Sequence, residues 1–173
     1  MSGKYGDYIE SVDNGESVEQ VFMSALKKRY PNCIVSGSTK FDNKNRHIDV
    51  YFRLGDKCRT TFDVKAQKKV NRYDENANDE YTWVELQNNQ GFRGWAYGEE
   101  KYLAFEWENA FIIVERAKLL DLVNNNKVEG LITENRDIFE YCQYQRSKYG
   151  NEDICVLTPI RDIIEIAHKI IEK

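Results

Sequence analysis

The chain has 173 residues, 41% hydrophobic and 31% charged, with a formal net charge of −4. A chain of this length can bury about 70% of its unfolded surface, and residues 1–173 are expected to form one domain. No apolar run of about 18 residues is present, which excludes a membrane-spanning helix, and the first residues lack the apolar core of a signal peptide, so a cytoplasmic protein is expected. The acidic balance means that contact with nucleic acid must rely on locally concentrated cations. Cys33, Cys58, Cys142 and Cys155 include no CxxC pair, and two histidines cannot complete a zinc site. Buried reduced thiols are therefore expected.

Residues 1–15 are polar and read as a loose lead-in. Ser17 and Gln20 form a capping box, and Val18, Val21, Phe22, Ala25 and Leu26 follow at helical spacing as a buried stripe. Lys27-Lys28-Arg29 suits the end of that helix, and Pro31 stops it. Glu19 lies beside the stripe, with Glu16 next in line. A strand over Cys33–Ser36 and a polar turn over 37–46 come next.

The stretch His47–Lys69 organises the rest. It reads as two strands joined by a tight turn at Gly55-Asp56-Lys57. Ile48, Val50, Phe52 and Leu54 alternate with Asp49, Tyr51 and Arg53. Phe62 and Val64 lie on one side of the second strand, Asp63 and Lys65 on the other. A hairpin can bring Asp49 alongside, giving two carboxylates and an amine at one end of a sheet. Oxygen ligands suit magnesium, and a lysine nearby can stabilise the charge of phosphodiester hydrolysis. A surface ion-pair ladder is the plainer explanation of an acid–x–lysine strand.

Residues 71–80 form an acidic loop. Tyr81–Leu86 alternates as a strand, with Tyr81, Trp83 and Glu85 on one face. The segment 87–98 is rich in amides, glycines and aromatics. Strands are expected over Lys101–Trp107 and Asn109–Glu115, a helix over Arg116–Asn125, and a short strand over Val128–Thr133. Basic and aromatic residues interleave over Asp137–Tyr149. A last strand covers Ile154–Thr158, and a terminal helix Pro159–Glu172.

Asp49, thirteen intervening residues and Asp63-Val64-Lys65 resemble the core motif of the PD-(D/E)xK nuclease superfamily, which includes type II restriction enzymes, archaeal-type Holliday-junction resolvases and small phage endonucleases. Ile48 stands where the name-giving proline would be. Trp83-Val84-Glu85, Gly94-Trp95-Ala96-Tyr97-Gly98, and the pairing of Tyr144-Gln145-Arg146 with Asp153–Leu157 also look like phage-encoded members. The likeness spans most of residues 17–162. It implies an α/β fold with a restriction-endonuclease-like αβββαβ core, a mixed central sheet flanked by helices. It also implies a Mg²⁺-dependent deoxyribonuclease, with Mn²⁺ able to substitute, acting on DNA that includes branched or junction DNA. Asp49 and Asp63 would hold the metal, Glu19 would complete the shell, Lys65 would act on the water or transition state, and Gln67 would contact the phosphate. Expected DNA contacts are Lys68, Lys69, Arg72, Arg93, Trp95 and Arg146. Junction resolvases cut two strands as homodimers. The alternative is a non-catalytic interaction protein, either a degenerate nuclease fold or an acidic phage protein that blocks a host DNA-binding factor.

Overall fold

The computed structural model describes residues 6–70, 74–132, 139–148 and 151–173, with the backbone alone for 6–17, 146–148 and 151–152. In chain order the elements are α1 (Gly6–Arg29), β1 (Cys33–Gly37), α2 (Lys40–Arg46), β2 (Val50–Leu54), β3 (Thr60–Lys65), β4 (Tyr81–Gln87), a 3-10 turn (Trp95–Tyr97), β5 (Tyr102–Trp107), β6 (Ala110–Glu115), α3 (Arg116–Asn126), β7 (Leu131–Ile132), β8 (Gln143–Lys148), β9 (Asn151–Pro159), α4 (Ile160–Glu165) and β10 (Lys169–Glu172). The fold is α/β, but two sheets replace the single central sheet expected. The chain divides into two compact units. One comprises residues up to 66 with 100–113 and 169–173, the other 67–99 and 114–168. No described helix is long and apolar enough to cross a membrane.

The first unit is built on a sheet of order β1-β2-β3-β5-β6-β10. β1, β2 and β3 are antiparallel neighbours, and β5 runs parallel to β3. The period-two pattern of the hairpin decides its faces: Val50, Phe62 and Val64 join Tyr102, Ala104, Phe111 and Ile113 in one apolar layer. Val18, Phe22, Ala25 and Leu26 of α1 close that layer. Phe22, fully buried, meets Phe62 and Phe111 edge-on at 5.2 and 4.9 Å. Such ring pairs add about 0.5–1.5 kcal/mol each beyond the area they bury. Gly55 turns the hairpin with φ of 58°, a left-handed conformation that costs glycine little.

The structure corrects several sequence expectations in this unit. The helix α1 covers Gly6–Arg29, so the described part of the lead-in is helical and Ser17 lies inside the helix instead of capping it. Once a helix is nucleated and packed, each added residue gains a hydrogen bond at little cost. Val21, placed in the buried stripe, is exposed. The expected turn over 37–46 holds α2, whose first turn is capped by Thr39 accepting from Asp42 N at 3.1 Å. The terminal helix stops at Glu165. The chain then forms β10 against β6, pairing Ile171 with Phe111. Cys58 is exposed, where a buried thiol was expected.

The second unit carries a sheet of order β4-β9-β8-β7. Val70, Trp83, Tyr144, Cys155 and Leu157 form its apolar cluster, with Trp83 edge-on to Tyr144 at 5.1 Å. The segment joining β3 to its parallel neighbour β5 supplies β4 and the 3-10 turn. The resemblance implies an α-helix at that point in the order. Gly94 is required here: a Cβ on it would lie 2.4 Å from the Glu85 carbonyl oxygen.

Candidate active site

Asp49 immediately precedes β2, and Asp63 and Lys65 belong to β3. The Val50–Phe62 register places Asp49 one step beyond that pair, against Asp63. Burial of Phe62 and Val64 against α1 turns Asp63 and Lys65 to the other side of the strand, as alternation requires. Lys65 Nζ stands 2.7 Å from Asp63 Oδ1. Both carboxylates are buried, Asp49 at 7% and Asp63 at 2% exposure, where isolated charges would be costly.

Their hydrogen bonds differ. Asp49 Oδ2 accepts the Val64 backbone N–H at 2.7 Å, and Asp49 Oδ1 accepts from Asn43 Nδ2 of α2. Asp63 Oδ2 is buried, and no described N–H or hydroxyl reaches it. Burial pushes the Asp63 carboxyl well above the usual carboxylate range, Lys65 opposes that shift, and the neighbouring Asp49 adds to it. His47 caps α2 in a left-handed conformation with φ of 55°. Burial, and then the Lys65 charge, hold its imidazole below the usual value, against a smaller pull from Asp49. Two carboxylates, an amine and an imidazole thus come together beside β2 and β3. The buried Oδ2 of Asp63 and the all-oxygen carboxylate set fit a hard divalent cation.

The other expected residues are placed as follows. Glu19 is half-buried on α1, in the same unit as the pair. Gln67 is not on the strand face: β3 ends at Lys65, and Gln67 Nε2 donates to Asp79 Oδ1. Lys68 and Lys69 are exposed just after that strand. Arg93 is exposed, with its guanidinium 5.5 Å from the Tyr97 ring centre, and Trp95 is half-buried in the 3-10 turn. Arg72 and the side chain of Arg146 lie outside the described residues.

Sequence reasoning missed Asn43 and His47. The signal was the Thr39-Lys40-Phe41-Asp42 cap, which announces a helix before Asp49. It also missed a second group in the other unit, where Glu85, Asp153 and Cys155 bring their oxygen and sulfur atoms within 4.8 Å of one another. Asp153-x-Cys155 is visible on one strand, but Glu85 joins them only through the β4–β9 register. Compared with known proteins, the chain matches no family model, no curated protein and no solved structure.

Proposed function

We propose that this protein is a metal-dependent deoxyribonuclease that hydrolyses phosphodiester bonds, with Asp49, Asp63 and Lys65 as its centre. The observation that carries the reading is the buried meeting of two carboxylates with a lysine, one carboxylate oxygen being reached by no described donor. The order α1, β1, β2, β3, with β5 beside β3, supports a restriction-endonuclease-like core. Its helix between the third and fourth core strands has no counterpart among the described residues.

Asp49 and Asp63 would hold Mg²⁺ or Mn²⁺, whereas Glu19, expected as the third ligand, stands on α1, which covers the opposite face of the sheet. When bound, the ion supplies Lewis acidity toward the phosphoryl oxygen and a more acidic water. Asn43 and the Val64 N–H fix the Asp49 carboxylate in one orientation, so no reorganisation is needed as charge develops. Lys65, held by Asp63, carries a positive charge to the place where the pentavalent phosphorus gains negative charge.

The competing reading, a non-catalytic interaction protein, draws on the net charge of −4 and the acidic segment 71–80. A labelled panel of duplex, single strand, flap, four-way junction and RNA, incubated with Mg²⁺ and Mn²⁺, separates the two. The nuclease reading expects cutting of DNA that disappears in Asp63→Ala. No cutting of any substrate, with no stabilisation by either metal, favours the interaction protein.

A further inference from the structure

The side of β1–β2–β3 turned away from α1 carries, besides the carboxylates, a group of cations that the hydrolytic site does not use. Ile34 and Ser36 of β1 pair with Arg53 and Tyr51 of β2, and these residues line an open cavity of about 510 Å³ with Lys57 and Arg59. Arg53, Lys57 and Arg59 are all exposed. The Arg59 guanidinium lies 4.0 Å from the centre of the Tyr51 ring, which limits its freedom before any ligand arrives. The Tyr51 hydroxyl is engaged by Asp42, which also pairs with Arg46 at 3.0 Å. Among the described residues, no carboxylate forms an ion pair with Arg53, Lys57 or Arg59. Three cations around one cavity, none of them ion-paired among the described residues, are notable in a chain whose net charge is −4.

Position ties this patch to the site. Asp49, Tyr51 and Arg53 follow one another at two-residue spacing on that side of the strand. Arg53 therefore stands roughly 13 Å along it from Asp49, about four nucleotides of duplex rise. We infer that Arg53, Lys57 and Arg59 form a backbone track that binds the phosphates of a DNA strand whose scissile bond lies at Asp49, Asp63 and Lys65. The inference rests on the nuclease reading for its substrate. A polyanion with evenly repeated charge fits an open row of cations beside a carboxylate site better than a compact anion does. The exposed Ile34 adds an apolar surface against which sugars can lie.

The test is fluorescence anisotropy with a labelled DNA duplex and a labelled four-way junction, in chelator and in Ca²⁺, across a salt series. The proteins are wild type, the triple variant Arg53→Ala/Lys57→Ala/Arg59→Ala, and a control triple, Lys27→Ala/Lys118→Ala/Lys127→Ala, which removes equal charge from exposed positions elsewhere. The track variant should keep the wild-type melting temperature and bind DNA at least tenfold more weakly. Its slope of log affinity against log salt should be shallower by about 2–3, the value for three lost phosphate contacts. The control should bind as wild type does. Equal loss in both triples, no loss in the track variant, or no DNA binding by wild type would overturn the inference. So would tighter binding of RNA, or equal competition by poly-glutamate. If wild type binds DNA through the three cations but cuts nothing, the track stands and the nuclease reading falls. If Asp63→Ala abolishes cutting while the track variant binds normally, the reverse holds.

Discussion

In the first unit two carboxylates meet beside a lysine; in the second, two carboxylates meet beside a thiol. Asp49 and Asp63 are buried, and Asp49 is fixed through both its oxygens. Glu85 and Asp153 are only half-buried, and Cys155 is packed into the apolar cluster of its sheet. Burial raises the Asp63 carboxyl, Lys65 opposes that shift and Asp49 adds to it. Hard oxygen donors with an ammonium group suit phosphoryl chemistry, whereas a thiolate favours softer metals. Acidic residues close together thus mean different things depending on what third group the fold brings to them.

The largest effect that would sharpen this contrast is on cleavage. Asp63→Ala should lower DNA cutting by a factor of about 10³ or more, and Lys65→Ala by about 10²–10³, measured as initial rates in Mg²⁺. Lys65→Ala should retain metal binding, and Cys155→Ser should cut at the wild-type rate. A cleavage defect in Cys155→Ser equal to that of Asp63→Ala would break the comparison by moving the chemistry to the other unit. Next in size is the core under the first site: Phe22→Ala should cost about 3–5 kcal/mol in denaturant unfolding. In the second unit Gly94→Ala should cost about 1–3 kcal/mol by the same measurement, because the new Cβ meets backbone at Glu85.

The smallest effect is on pH dependence without metal. The folded Asp63 pKa is raised, so the folded state holds that proton more tightly than the unfolded chain does. The associated stability is complete below the ordinary carboxylate value and is lost as pH rises through the raised one. His47 acts oppositely: its lowered value favours the folded state at high pH, a contribution lost as pH falls from about 6.5 through its folded pKa. In chelator, Asp63→Asn should therefore lose less melting temperature than wild type between acidic and neutral pH. An unchanged profile would mean that Asp63 ionises normally.

The hairpin that bears Asp49, Asp63 and Lys65 was legible because its information is local. Alternation fixes which side Asp63 and Lys65 take, and one glycine turn fixes the register with Asp49. Asn43 was less legible, since a polar stretch with a single cap signal reads as a turn until its contact with Asp49 is seen. The final isoleucines fit a helical stripe, yet Ile171 pairs with Phe111 because β6 offers strand partners far away in sequence. The division into two sheets and the meeting of Glu85 with Cys155 depend on the same kind of distant pairing, which no local pattern carries.

Metal-induced stabilisation tests the central claim most directly. Melting temperatures would be recorded for wild type, Asp49→Asn, Asp63→Asn and Cys155→Ser with chelator, Mg²⁺ and Mn²⁺. A ligand at 100 times its dissociation constant stabilises by about 2.7 kcal/mol, which is readily read as a shift. Wild type and Cys155→Ser should gain from both metals, and the two aspartate variants should gain little. Loss of the gain in Cys155→Ser with its retention in Asp63→Asn would contradict the account.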